Sequence, residues 1–483
     1  MKNLRTKIFS GVGWSFTSQI VTQLWTFLVM VALARLLSPR EFGLVAMVTA
    51  LSGFASLFAE LGLGAALIQK EEVSDLQLSS VFWLNLTCGV ILSLIFICGA
   101  SLIASFYREP ALYGITIIVS FIFIANALVT VQRILLTREM EFRTLSIADV
   151  IARILSGVAV VFMAVLGLSY WSLAWQPLIM SCILNLILWR RSNWRPSFIF
   201  SFASIRELLN FGANVLGTST LDYWTRSLDK ILIGKFFGSA SLGLYSRAHM
   251  VLVFRVNSLS RMISNVFFPA MSSIRDDKER VKRAYLKAIN VVTLVTFPLT
   301  LGLFATSHNF VLTFFGSQWV EMVPILQALS LLGISTAAGS LNGAIFMSQG
   351  AARAHFRLSL ILKSLGIFGV IVGLKWGAVG VALFYGLVTL FNTYPGITIA
   401  GRLIGMNYGD FIKAISAPFL CSLTMGIFVI LTPRWLPSNL PSVELLGFQV
   451  MTGVLIYWIL IAACKIDGYL EIVRYFKAIK AGA

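Results

Sequence analysis

Apolar residues recur along this chain in blocks of about twenty, separated by short clusters of Ser, Gly, Pro and charge. A block of that length, wound as a helix, matches the ~30 Å hydrocarbon thickness of a bilayer. The pattern predicts about fourteen spans, at 10–34, 42–68, 79–105, 111–136, 145–166, 170–189, 208–234, 243–270, 284–306, 321–348, 357–374, 377–400, 411–432 and 447–464. Connections are short, and none has room for a soluble domain. Pro177, Pro269, Pro298, Pro324, Pro395 and Pro418, in or beside spans, are kink candidates. The spacings Gly339–Gly343 and Gly369–Gly373 predict close helix packing.

Composition agrees with an all-α polytopic membrane protein. Of the 483 residues, 58% are hydrophobic and only 12% charged, with a mean hydropathy of +0.86. Soluble domains carry roughly 25% charged residues. The net charge of +18 would suit nucleic acid if it formed a surface patch, but the basic residues fall in short loops and inside spans, which excludes that reading. Cys88, Cys98, Cys182, Cys421 and Cys464 lie in or at the ends of apolar segments without metal-ligand spacing, so they read as core residues. The start MKNLRTK, its apolar run and Ala32-Leu33-Ala34 mimic a cleaved secretory signal. A repeat argues that this span is retained.

That repeat is LARLLSPREFGLVA at 33–46 and IGKFFGSASLGLYS at 233–246, at a constant offset of 200. Glu141-Phe142-Arg143 and His355-Phe356-Arg357 correspond at an offset of 214. Six spans separate the copies, so the halves keep one orientation, as parallel repeats about an axis along the membrane normal. The expected plan is an N-lobe over 1–200, a C-lobe over 201–403, two extra spans over 404–464, and an amphipathic tail over 465–483 lying on the cytoplasmic surface. With the N-terminus inside, 24 of the 38 Lys and Arg fall in cytoplasmic loops and tails. Only six (Arg35, Arg40, Arg108, Lys235, Lys375 and Arg434) fall outside, so both termini are predicted cytoplasmic.

Twelve charges remain within spans: Arg133, Arg153, Arg226, Lys230, Arg247, Arg255, Arg261 and Lys363, with Glu60, Asp149, Asp222 and Asp229. Each costs about 3 kcal/mol at mid-membrane, so they must pair, snorkel or face water. Arg133, Arg261 and Lys363 lie toward cytoplasmic ends, where snorkelling suffices. Asp149 and Arg153 stand at i and i+4 and are expected to pair. In LDYWTRSLDKILIG, Asp222, Arg226, Asp229 and Lys230 share one helical face. Arg247, Arg255 and Arg261 step through span eight at outer, middle and inner depth. Two readings stay open: salt bridges that tie helices together, or a water-filled cavity with excess positive charge. In the second, Arg153, Arg226, Lys230, Arg247, Arg255 and Arg261 bind an anion, since guanidinium forks suit phosphate. The acids Glu60, Asp149, Asp222 and Asp229 then serve coupling or salt bridges.

No GxxxxGK[ST] loop, HExxH or paired Cys/His spacing is present. The reading is a transporter rather than an enzyme, without resident cofactor or metal. Several stretches carry a resemblance: SGVGWS (10–15), LARLLSPREFGLV (33–45), ALIQKEEVSDLQLSSVFWLN (66–85), LDKILIGKFFGSASLGLYSRA (228–248), VFFPAMSSIRDD (266–277) and GSQWVEMVPILQALSLLG (316–333). The chain resembles polysaccharide flippases of the multidrug/oligosaccharidyl-lipid/polysaccharide exporter superfamily, in the branch of the colanic-acid exporter. The likeness fades after about residue 400 and does not specify the glycan.

The resemblance implies two alternately opening lobes in the bacterial inner membrane. They would move undecaprenyl-diphosphate-linked oligosaccharide to the outer leaflet for exopolysaccharide, capsule or O-antigen. It implies a cationic cavity for pyrophosphate and acidic sugars, and Asp229-Lys230 matches a recurrent family position. It also implies membrane lipids, a glycan polymerase and a co-polymerase as partners, and coupling to a proton or sodium gradient. Two rivals stand beside it. A cation-exporting multidrug antiporter usually has an acid in its first span, and 10–34 contains none. A glycan polymerase or ligase usually has a large charged outer loop, and the outer loops near 307–320 and 433–446 hold few charges.

Overall fold

The computed structural model describes residues 2–437 and 440–464, with side chains throughout except at 2–17, 214 and 253–266. Among the described residues all regular structure is helical. The order is α1 Lys2–Leu36, α2 Pro39–Glu60, α3 Leu63–Gln69, α4 Asp75–Tyr107, α5 Leu112–Arg138, α6 Phe142–Val165, α7 Tyr170–Arg191 and α8 Phe202–Ser273. There follow α9 Lys278–Phe314, α10 Met322–Gly339, α11 Asn342–Ser348, α12 Ala352–Gly373, α13 Gly377–Leu403, α14 Tyr408–Leu431 and α15 Ser442–Cys464. Eleven segments among the described residues are long and apolar enough to cross a membrane, so the protein is a multi-pass membrane protein. Leu94, Ile95 and Leu102 on α4 and Val454, Leu455 and Ile459 on α15 are exposed, as suits a lipid-facing helix.

The chain divides into two compact units, residues 1–243 and 244–483. In the first, Leu63 and Leu67 of α3 pack with Val81, Phe82, Val131 and Ile134 of α4 and α5 and with Ile205 and Leu208 of α8. In the second, Tyr285 and Ile289 of α9, Phe346 of α11, Ile397 of α13 and Phe411 of α14 form the core. Residues 201–243 pack within the first unit.

Helix ends follow local chemistry. Ser74 begins α4 with a capping box: Gln77 N donates to Ser74 Oγ and Ser74 N to Gln77 Oε1, both at 3.3 Å. α8 is two helical stretches joined at Gly238, whose φ of 80° and ψ of −178° only glycine adopts readily.

Two spans expected to be continuous are broken. Span two stops at Leu61 and Gly62, both with positive φ (48° and 66°), before the short α3. Span ten is interrupted at Ser340-Leu341, between α10 and α11. Gly339 and Gly343 flank that break and make only ordinary contacts, so their spacing does not mark close packing. Gly369 and Gly373 do pack closely: a Cβ on Gly373 would lie 2.6 Å from the Gly380 carbonyl oxygen. The tail over 465–483 lies outside the described residues.

Candidate functional site

The intramembrane charges of the first unit lie on α2, α5, α6 and α8. Asp149 does not pair with Arg153. It accepts from the Arg133 guanidinium across α5 and α6, so Arg133 is an ion-pair partner. Arg153 is half-buried, and its Nε has no hydrogen-bond partner among the described residues. Its carbonyl accepts from Trp25 Nε1 at 3.1 Å, beside Gly157, where a Cβ would collide with the Trp25 ring. Glu60 stands exposed at the last turn of α2.

The stripe of α8 is graded. Arg226 is exposed, Asp222 and Lys230 are half-buried, and Asp229 is 5% exposed. Asp229 Oδ1 accepts from the Lys230 backbone N at 2.8 Å. Tyr223, one residue from Asp222, fixes the helix: its hydroxyl donates to the Ala50 carbonyl at 2.7 Å, and its ring lies over Gly53. Trp224 and Phe54 are in ring contact at 5.0 Å. The stripe is thereby held in register against α2. In the second unit Arg247 is half-buried. The side chains of Arg255 and Arg261 lie outside the described residues.

Several residues with evident roles drew no attention in the sequence. Arg138, counted only as a loop charge, donates to the carbonyls of Leu67, Lys70 and Glu71 and so closes the C-terminal end of α3. Asn85 and Gln132 are buried, and their amides have no hydrogen-bond partner among the described residues. Glu109 links Arg40 at 3.1 Å to Ser239 Oγ at 2.8 Å. The only sequence signal for Glu109 was its position as an acid among the outer basic residues.

Such geometry defines a polytopic helical membrane protein with charged helix faces inside its bundle. The chain belongs to the polysaccharide biosynthesis protein family, which it matches over residues 32–324. It is 27% identical over 435 residues to the teichuronic acid biosynthesis protein TuaB of Bacillus subtilis, covering 88% of this chain and 89% of that one. It is 28% identical over 429 residues to the lipopolysaccharide biosynthesis protein WzxC of Escherichia coli, covering 87% and 86%. Its fold is that of the lipid II flippase MurJ in an inward closed conformation, with a TM-score of 0.75 at 16% identity over 96% of this chain and 100% of that one.

Proposed function

We propose that this protein flips undecaprenyl-diphosphate-linked oligosaccharide from the cytoplasmic to the outer leaflet of the bacterial inner membrane. The flipped units feed surface polysaccharide assembly. The observation that carries this reading is the α8 stripe, where the exposed Arg226 and half-buried Lys230 offer cationic groups on one helix packed among the apolar spans. A diphosphate supplies the compensating charge, and guanidinium and ammonium groups bind its oxygens directly. Family membership supports a polysaccharide precursor as cargo, and the likeness to a lipid II flippase supports transport of a lipid-linked one.

In this reading both termini are cytoplasmic and the two repeats form lobes that open alternately. Arg153, Arg247, Arg255 and Arg261 add positive charge along the path. Of the four acids, Asp149 serves its ion pair with Arg133, and coupling to a proton or sodium gradient falls to Glu60, Asp222 and Asp229. The glycan polymerase and co-polymerase take the product.

The test uses a strain lacking its own flippase for such a precursor, with glycan on the outer face of spheroplasts measured by an added glycosidase. This chain restores outer-face glycan, and Arg226→Ala/Lys230→Ala abolishes it at equal protein abundance. Full export by the double variant overturns the assignment of the stripe. Outer-face glycan that appears without the protein, with only chain lengthening lost, points instead to a polymerase.

A further inference from the structure

The repeated segment meets its own copy. Ser38 (φ −77°, ψ 159°) makes the corner between α1 and α2, and Gly238, 200 positions on, makes the corner inside α8. Both corners lie in the first unit. A Cβ on Gly43 would fall 1.6 Å from the Ser239 carbonyl oxygen, and one on Gly243 would fall 1.8 Å from the Pro39 carbonyl oxygen. The same two Cβ positions lie 3.0 and 3.1 Å from the partner glycine's backbone N. Pro39 and Ser239 are themselves 200 apart, as are Gly43 and Gly243. The contact is therefore reciprocal, like an isologous interface folded into one chain.

No side chain can be accommodated here, because the opposing atoms are backbone and cannot swing aside. Yet both glycines are helical and neither has positive φ, and in a helix interior alanine is favoured over glycine. The helices alone would accept alanine; only the joined state requires glycine. Around the contact stand single polar links: Glu109 between Arg40 and Ser239, and the Lys235 ammonium 4.3 Å over the Phe106 ring. Of these, the Arg40–Glu109 pair is the exposed one, with the Arg40 side chain 66% exposed, and an exposed ion pair contributes little.

We propose that the Gly43–Gly243 contact is the outer closure of the transport path, parting and re-forming in each cycle, with both glycines as positioning residues. This rests on the alternating-access reading above. Backbone-on-backbone contact fixes register without interlocked side chains, so it parts without repacking a core.

The experiment has two arms, of which the first is independent of cargo. Arg226→Cys is labelled from outside, in intact cells, with a membrane-impermeant maleimide, alone and combined with Gly43→Ala or Gly243→Ala. Labelling is expected to rise several-fold in the alanine backgrounds, with protein abundance kept. In the second arm, Ser239→Cys/Glu109→Cys is joined by a short reducible thiol cross-linker. Transport is expected to stop and to return on reduction. Unchanged labelling together with a lowered melting temperature in the alanine variants would make the contact a permanent joint and overturn the proposal. Full transport by the cross-linked protein would do the same. If labelling rises but wild type exports no lipid-linked oligosaccharide, the cargo assignment fails and the closure stands.

Discussion

Arg133 of α5 and Asp149 of α6 form an ion pair between neighbouring helices, although Asp149 has Arg153 one turn away on its own helix. Both side chains retain partial exposure, 43% and 34%, so the pair is worth less than a fully buried one. Asp149→Asn is expected to lower stability by about 1–3 kcal/mol, read as a reduced melting temperature in detergent. Arg133→Met/Asp149→Leu should recover most of that loss, because no uncompensated charge remains. An unaltered melting temperature in Asp149→Asn would show that the pair contributes nothing.

Tyr223 and Gly53 offer a second cycle. Gly53→Ala places a Cβ 2.5 Å from the Tyr223 hydroxyl oxygen, so the ring must shift, at a cost of about 1–3 kcal/mol. Tyr223→Phe loses the bond to the Ala50 carbonyl, worth roughly 1 kcal/mol. With the hydroxyl gone, Gly53→Ala should cost less than in wild type. Strict additivity of the two losses would place the residues out of contact.

Accessibility along α8 should follow the observed gradient. Single cysteines at the stripe positions are expected to react with a small water-soluble thiol reagent fastest at Arg226. Asp222 and Lys230 should be slower, and Asp229 and Ser227 slowest, since the last two are 5% and 6% exposed. Equal rates at all five would leave the stripe without a wet face.

Topology has its own check. Reporter fusions after residue 200 should read cytoplasmic, and fusions near 238 and 312 should read outside, from the 24-to-6 division of loop charges. A fusion after 200 that reads outside would reverse the assigned ends of the helices.

Apolar block length was enough to read the all-helical, multi-pass character of this protein. In a bilayer every span must satisfy its own backbone, which makes block length a direct readout of helix. The helices α4 to α7 and α9 follow the hydropathy blocks closely, whereas α8, which covers blocks seven and eight, is not among the eleven apolar segments. The breaks at Leu61-Gly62 and Ser340-Leu341 were missed, because hydropathy averaged over some twenty residues passes over the short stretches Glu60–Gly64 and Gly339–Gly343 that contain them.

Charge partners needed the tertiary structure. Periodicity orders residues along one helix, so it offered Asp149 the arginine on its own helix; the neighbouring helix supplied Arg133 instead. Likewise Arg138 looked like a loop charge until the end of α3 was brought to it. The repeat at 33–46 and 233–246 was legible as spelling, and its glycines were plain in both copies. That Gly43 rests on Ser239 while Gly243 rests on Pro39 was decided only when folding brought the copies together, because a backbone contact leaves no trace in sequence beyond the missing side chain.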